Sequence, residues 1–287
     1  MKQVEAALLF DAKGTLSESP QWSSAEQALY WVDIENGLLH RFDWRRRSHE
    51  CVSLPAPVSM VVAGPPLLVT SGNRLLRFDW DRREPQQVAA LPLDPARLRF
   101  NDGKVDPQGR LWLGTMALDE KSPIAGLYRL TSGVLEQVLA DVTVSNGIVW
   151  HGDIMYYADS GTGRLDAFDY DPSLGRIDIA RRRTILAFPE EEGPPDGMAL
   201  DVDGNLWIAL VNGRRVSCFS PVDGKELGRV AVNASKVSAC CFGGPEMTHL
   251  FISTRRERDE GPAQPGGIFV AEPGVRGAAW PTPQGIA

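Results

Sequence analysis

Histidine and cysteine are scarce in this chain, which has four of each among its 287 residues. The histidines have neither the HExxH pattern nor another metal-ligand spacing, so the common histidine-based zinc sites are excluded. The cysteines lack the paired spacing of a zinc ribbon or a disulfide framework, and adjacent Cys240 and Cys241 suit buried thiols. A small domain held together by disulfides or zinc is therefore not expected.

Long hydrophobic runs and an excess of positive charge are also missing. The apolar run at residues 6–10 (AALLF) is too short for a signal-peptide core or a membrane span. The net charge is -7 and the basic run at 45–47 is short, which disfavours binding to nucleic acid. We expect a cytoplasmic protein with neither a membrane nor a nucleic acid as partner.

Glycine and proline, in contrast, are plentiful. The chain has 28 Gly and 21 Pro, so it turns often, and its 43% hydrophobic content is enough for a large core. Short strands fit this composition better than long helices. Since no stretch resembles a linker, we predict one domain spanning residues 1–287.

A hairpin pattern recurs six times along the chain. Each copy has an apolar strand, a turn and a second strand with an aromatic residue, and these aromatics are Phe42, Phe78, Tyr128, Phe168, Phe219 and Phe269. Their mean spacing of about 45 residues is the length of a propeller blade. We therefore predict an all-β fold, a six-bladed β-propeller with four-stranded antiparallel blades around a central channel.

Further repeat positions make this prediction more detailed. Trp31, Trp112 and Trp207 occupy matching positions and are expected to pack between blades. The turns at 106–112 and 201–207 are nearly identical, with a glycine placed for a positive φ. The first strand, around residues 4–10, is expected to join the C-terminal blade and close the ring.

Polar residues followed by glycine recur where the innermost strands begin. These strands run beside the axis, so their entrances converge from distant parts of the sequence. The candidate side chains at one mouth of the channel are Glu18, Asn101 or Asp102, Asn146 and Asp196. All are oxygen donors, which suit Ca²⁺, Mg²⁺ or Mn²⁺, with Zn²⁺ also possible. The alternative is that each Asn-Gly or Asp-Gly pair is simply a turn.

Several of these segments resemble one family, the SMP-30/gluconolactonase/regucalcin-like sugar lactonases. The stretch at 99–106 (RFNDGKVD), followed by GTM at 114–116, is the most specific. Supporting stretches lie at 16–22, 145–147, 195–199 and 241–245. The resemblance covers nearly the whole chain and implies the same propeller fold.

The resemblance also implies residue roles. The metal ligands would be Glu18, Asn146 and Asp196, binding one divalent ion among Ca²⁺, Zn²⁺, Mn²⁺, Mg²⁺ and Fe²⁺. Arg99 and Asn101 would hold the oxygens of the sugar lactone. Asp119 stands where animal members have a substrate-binding glutamate, and it is shorter by one methylene.

The implied reaction is metal-dependent hydrolysis of a sugar (aldono)lactone to the sugar acid. The ion would polarise the lactone carbonyl, and Asp196 is the candidate general base. One alternative is a propeller that binds a metal or a partner without catalysis. Another is a related metal-dependent esterase, acting on phosphotriesters or aryl esters, which would require a more apolar pocket. The choice among pentono- and hexonolactones, the metal and the oligomeric state are left open.

Overall fold

The computed structural model describes residues 2–256 and 264–286, and this part of the chain is almost entirely β-sheet. Six sheets form the blades of a six-bladed β-propeller, which confirms the predicted fold. The helices among the described residues are two short 3₁₀ turns, Ser160–Thr162 and Glu190–Glu192. No helix in the described ranges is long and apolar enough to cross a membrane.

Each of the first three blades has four antiparallel strands in chain order. Blade 1 contains β3 Ser17–Ser23, β4 Ala28–Asp33, β5 Leu38–Asp43 and β6 Ser48–Ser53. Blade 2 contains β7 Val61–Val62, β8 Leu67–Ser71, β9 Arg74–Asp79 and β10 Glu84–Ala90. Blade 3 contains β11 Leu98–Val105, β12 Leu111–Ala117, β13 Ala125–Thr131 and β14 Val134–Val142.

The remaining three blades include the two N-terminal strands, β1 Lys2–Glu5 and β2 Ala7–Phe10. Blade 4 contains β15 Ser145–His151, β16 Ile154–Asp159, β17 Arg164–Asp171 and β18 Arg176–Ala187. Blade 5 contains β19 Pro195–Leu200, β20 Leu206–Leu210, β21 Arg215–Phe219, β22 Glu226–Ala231 and β1. Blade 6 contains β23 Lys236–Gly243, β24 His249–Arg255, β25 Ile268–Ala271 and β2.

The core consists of six apolar clusters, each between two adjacent blades. Trp31 lies between blades 6 and 1, Trp112 between blades 3 and 4, and Trp207 between blades 5 and 6. All three indoles are buried, so their predicted packing role is confirmed. A four-stranded sheet cannot bury both of its faces alone. When six sheets stack in a ring around an axis, each face packs against a neighbouring blade.

The N-terminal segment covers the edges of two blades, not one. Ala7–Phe10 pairs with β25 and closes the ring on blade 6, as predicted. Lys2–Glu5 instead pairs in parallel with β22 as a fifth strand of blade 5, so the expectation of one strand over residues 4–10 was wrong in this part. The N–H of Ala6 donates to the carbonyl of Ala231 at 2.9 Å where the chain passes between the blades. Two otherwise open sheet edges are thereby paired.

The two repeated turns place a buried aspartate beneath a tryptophan. Asp106 accepts hydrogen bonds from the indole of Trp112 at 3.1 Å and the hydroxyl of Tyr170 at 2.6 Å. Asp201 accepts one from the indole of Trp207 at 3.0 Å. The turn glycines have φ of 85° and 83°, the left-handed conformation that was predicted for them. The turn of blade 3 is therefore tied to Trp112 of its own blade and to Tyr170 of blade 4, and the turn of blade 5 to Trp207 of its own blade.

Replacing Asp106 by alanine should destabilise the fold strongly. Its fully buried carboxylate also accepts from two backbone N–H groups and from Nε of Arg110, and all these donors would lose their acceptor. We expect the free energy of unfolding to fall by about 3–5 kcal/mol in chemical denaturation. Asp203→Ala is the matched control, because Asp203 is exposed in the corresponding turn of blade 5, and it should change the value by less than about 0.5 kcal/mol. Equal losses in both variants would contradict this account.

The C-terminal segment covers the channel end at which the inner strands finish. Backbone N–H groups of Ala278 and Gln284 donate to the carbonyls of Leu200 at 2.9 Å and Gly109 at 2.8 Å. Trp280 packs against the clusters on both sides of blades 5 and 6. Nζ of buried Lys104 lies 4.6 Å from the centre of the Trp280 ring. In the part of the chain that the structure describes, the end at which the inner strands begin is therefore the side from which we expect a small ligand to approach the axis.

Candidate functional site

A partly enclosed cavity of about 150 Å³ opens at the start of the inner strands. Five of the six predicted site residues line it: Glu18, Arg99, Asn101, Asn146 and Asp196. They come from blades 1, 3, 4 and 5. The space is about ten times what one water requires, enough for a small organic molecule. The fold thus gathers side chains that are up to 178 positions apart in sequence.

The polar-glycine segments are not turns but β-bulges in the innermost strands. The strand register shifts between Glu18 and Gln21 in blade 1, and equivalent shifts occur in blades 3, 4 and 5, at 100–103, 145–148 and 195–198. A bulge opposes two residues to one and re-aims a side chain. The same irregularity therefore places the polar side chain of each of these four blades at the cavity.

The glycines in these segments are required by close packing around the axis. A Cβ at Gly147 would lie 2.5 Å from the carbonyl oxygen of Asp196, and one at Gly197 would lie 2.4 Å from the side chain of Ala239. Neither glycine has a positive φ. Their role is thus to let neighbouring inner strands approach each other, which a larger residue would prevent.

Hydrogen bonds set the orientation of the two amides. Nη1 of Arg99 donates to Oδ1 of Asn101 at 2.6 Å, and Nδ2 of Asn101 donates to Oδ1 of Asn146 at 2.8 Å. Nδ2 of Asn146 donates to Oγ of Ser160 at 2.7 Å, and Ser160 donates to the carbonyl of Pro195 at 2.6 Å. This series of hydrogen bonds runs across blades 3, 4 and 5. It uses the amide nitrogen of Asn146 as a donor, so the carbonyl oxygen is the atom of that side chain that can donate an electron pair to a ligand.

Two buried aspartates hold the backbone next to the site. Asp33, at the end of β4, accepts from the backbone N–H groups of Thr15 at 3.0 Å and Leu16 at 3.2 Å, just before Glu18. Asp159, at the end of β16, likewise accepts from the backbone of Thr143 and Val144, just before Asn146. Sequence reasoning missed this role, although both aspartates stand at the same place in their blades.

The carboxylates of Glu18 and Asp196 repel each other electrostatically in this cavity. Oδ1 of Asp196 is buried and has no hydrogen-bond partner among the described residues. Burial and the nearby Asp102 raise the pKa of Glu18 to about 8. Burial and the neighbouring Glu18 raise the pKa of Asp196 well above its ordinary value. Such a pair is stabilised either by protons or by a bound cation.

The donor set fits a hard divalent cation. Glu18 and Asp196 supply carboxylate oxygens and Asn146 supplies an amide oxygen, with exposures of only 9%, 8% and 5%. The described residues hold no cluster of three or more His, Cys, Asp or Glu side chains suited to a metal. Two carboxylates plus one amide form an all-oxygen set, to which waters and substrate would add. The unpartnered oxygen of Asp196 is the group that a cation would satisfy.

Asp119 and Glu120 have different surroundings. Asp119 is exposed, and its carboxylate accepts from the backbone N–H groups of Lys121 at 3.0 Å and Ser122 at 2.9 Å and from the Ser122 hydroxyl. These bonds lower the pKa of Asp119 to about 2. It does not line the cavity, whereas the adjacent Glu120 does. Glu120 has a φ of 57°, so the turn directs the two neighbouring side chains differently.

Four more polar residues that line the cavity were not predicted from the sequence: Ser160, Lys236, Ser238 and Arg255. None of them lies in a polar-glycine segment, so the repeat that indicates Asn146 and Asp196 does not indicate these residues. Arg99 was found only through the resemblance. Burial lowers the pKa of Arg99 to about 10, and the guanidinium therefore stays charged at neutral pH.

Comparison with known proteins shows which family this chain resembles and which fold it shares. Residues 16–256 match a family described as the SMP-30/gluconolactonase/LRE-like region. Regucalcin of Macaca fascicularis is 37% identical over 279 residues, covering 91% of this chain and 92% of its own. YvrE of Bacillus subtilis, assigned as a sugar lactone lactonase, is 34% identical over 281 residues, covering 94% and 95%. A solved calcium-binding protein, regucalcin from Agrobacterium tumefaciens, has a TM-score of 0.90 at 24% identity, covering 98% and 99%, and so shares the fold.

Proposed function

Since this chain belongs to the SMP-30/gluconolactonase/LRE-like family, we propose that it is a sugar lactonase that uses one divalent metal ion. The observation that carries the proposal is the cavity, where buried Glu18, Asn146 and Asp196 meet with Arg99 and Asn101. We place the activity in a single domain of residues 1–287. The substrate is a sugar (aldono)lactone and the product is the corresponding sugar acid.

Glu18, Asn146 and Asp196 would hold the metal ion. Such an ion supplies a Lewis acid that polarises a carbonyl oxygen and stabilises the negative charge of a tetrahedral intermediate. The oxygen donor set accepts Ca²⁺, Mg²⁺ or Mn²⁺ readily, and Zn²⁺ or Fe²⁺ as well. The calcium-binding description of the Agrobacterium tumefaciens regucalcin supports Ca²⁺ as the first ion to test.

Arg99 and Asn101 would orient the lactone. Asn101 directs its Oδ1 to Arg99 and its Nδ2 to Asn146 and the carbonyl of Ser145, so it contributes a rigid polar wall. Nη1 of Arg99 is used by Asn101 and the carbonyl of Phe100, which leaves Nε and Nη2 to donate to ring or hydroxyl oxygens. For Asp119 to contact substrate as well, the turn that it forms with Lys121 and Ser122 must open.

Asp196 would act as the general base. With one carboxylate oxygen of Asp196 bound to the cation, the other would accept a proton from a water molecule as that water adds to the lactone carbonyl carbon. The tetrahedral intermediate then collapses, the bond from this carbon to the ring oxygen breaks, and the proton passes to the departing oxygen. The products are a free hydroxyl and a carboxylate, so one proton is released at neutral pH.

Proton release gives a direct assay of the proposal. We expect the purified protein to acidify an unbuffered solution of D-glucono-1,5-lactone, measured by pH-stat above the spontaneous rate. Removal of metal with EDTA should stop this reaction, and an excess of Ca²⁺ or Mn²⁺ should restore it. A panel of pentono- and hexonolactones without any chelator-sensitive turnover would contradict the proposal.

The two alternative functions differ from the lactonase in what they require of the channel. A non-catalytic platform would be expected to have an open channel without an enclosed pocket. A phosphotriesterase or aryl esterase would be expected to have an apolar pocket, whereas this cavity has six charged side chains. Both features favour a polar small-molecule substrate. The cytoplasmic location and the absence of nucleic acid partners stay predictions.

A further inference from the structure

The wall of the cavity carries as many positive as negative side chains. Its charged side chains are Glu18, Glu120, Asp196, Arg99, Lys236 and Arg255. The three carboxylates and three cations balance each other. A divalent ion held by the proposed ligands would therefore give the site a net charge of about +2, and positive clefts concentrate anions.

Arg255 is a second arginine that lines the cavity, in addition to Arg99. It is half-buried at the end of β24, and its backbone forms an antiparallel bridge to Leu16, two residues before Glu18. The next N–H, of Arg256, donates to the carbonyl of Thr15 at 3.1 Å, so the backbone is held on both sides. Among the described residues no carboxylate oxygen lies within 4.0 Å of the Arg255 guanidinium, although its side chain lines the cavity.

Several other partly buried arginines of the propeller are ion-paired. Arg110 pairs with Asp106 at 2.8 Å, Arg182 with Asp166 at 2.5 Å, and Arg215 with Glu192 at 2.9 Å. A guanidinium that loses part of its hydration without a counterion costs free energy. In blades 1 and 4 the second strand ends in an aspartate that holds its own loop, whereas in blade 6 it ends in this arginine.

We propose that the preferred substrate is an anionic lactone, which bears an acidic group on an exocyclic carbon in addition to the acyl group of the ring. We propose that Arg255 binds this second group. The proposal rests on the lactonase function above and narrows its substrate class. A planar carboxylate fits the two parallel donors of a guanidinium, so we assign the second acidic group as a carboxylate. Lys236 pairs with Arg255 across β23 and β24 and contributes charge to the same wall. The product then carries two carboxylates, which matches the site charge of about +2.

Product binding tests the proposal without needing turnover and without any effect of ring size. Isothermal titration calorimetry of the Ca²⁺-saturated protein would compare D-glucarate, which has two carboxylates, with D-gluconate, which has one. We expect glucarate to bind at least about tenfold more tightly. Steady-state kinetics with D-glucaro-1,4-lactone and D-glucono-1,5-lactone would give the corresponding ratio of kcat/KM values. A lactone of 6-phosphogluconate tests phosphate as the acidic group.

Three variants identify the responsible side chain. Arg255→Ala should lower the glucarate-to-gluconate affinity ratio by about tenfold. Arg255→Lys should lower this ratio less, because the lysine ammonium keeps the positive charge but lacks the two parallel N–H donors of the guanidinium. Arg256→Ala removes the same charge from the adjacent exposed residue and should leave the ratio unchanged. Raising the salt concentration should weaken glucarate binding more than gluconate binding.

Each outcome decides between the two proposals. A wild-type preference for gluconate, or equal ratios in Arg255→Ala and Arg256→Ala, would overturn the anion site. Preference for the phosphorylated lactone over the glucarolactone would overturn the carboxylate assignment. If no lactone is hydrolysed but glucarate binds in a manner that depends on Arg255, the anion site stands and the lactonase proposal fails.

Discussion

Asp196→Ala is expected to abolish lactone hydrolysis, with kcat reduced by at least about 10³-fold, because it removes a general base and a metal ligand together. The measurement is the pH-stat rate with saturating lactone and excess Ca²⁺. The fold should persist, since Oδ1 of Asp196 has no hydrogen bond to lose. Relief of its repulsion with Glu18 should keep the melting temperature of the metal-free variant at or above that of the wild type.

Two further variants separate the roles of Asp196. Asp196→Asn keeps the size of the side chain and one ligand oxygen but cannot take up a proton. We expect it to retain metal binding better than Asp196→Ala while remaining as inactive. Asp203→Asn, an exposed position of the same blade, is the control and should have wild-type activity. Near-normal turnover by Asp196→Ala would remove Asp196 from the mechanism.

Metal affinity should rise steeply with pH. In the metal-free protein the pKa of Glu18 is raised to about 8 by burial and by Asp102, and burial and Glu18 raise that of Asp196. Protons therefore compete with the cation, and the apparent Kd for Ca²⁺ should fall by about tenfold per pH unit between pH 6 and pH 8 for each proton displaced. Calorimetry in buffers of different ionisation enthalpy would count these protons.

Stability follows from the same pKa values. A folded-state pKa above the unfolded value means that the unfolded chain loses its proton first as pH rises. The metal-free protein should therefore lose stability between about pH 4.5 and pH 8, where Glu18 titrates in the two states. Added Ca²⁺ should reverse the loss, most strongly at pH 8. Glu18→Gln should flatten the pH dependence of stability and weaken Ca²⁺ binding. An affinity for Ca²⁺ that does not change with pH would contradict the proposed ligand set.

The residue that lines the cavity after β12 is Glu120, whereas the resemblance to the family indicated the adjacent Asp119. The resemblance points to Asp119 by counting along the chain, and counting assumes that the loop after β12 keeps the same shape. In this chain Asp119 caps its own turn through Lys121 and Ser122. The next residue, Glu120, has a left-handed φ and lines the cavity. The conformation of this loop therefore puts Glu120, and not Asp119, in the wall of the cavity.

The sequence by itself determined the propeller, because a repeat of about 45 residues with aromatics at matching positions can bury its apolar faces only by stacking in a ring. It also identified four polar side chains that line the cavity, Glu18, Asn101, Asn146 and Asp196, since their segments stand at the start of inner strands. Tertiary structure alone decided that Asn146 and Asp196 lie in bulges and not in turns, and that Arg255 joins them. The reason is physical: bulge register, the direction of a side chain and the charge balance of a cavity depend on neighbouring blades, which local sequence does not encode.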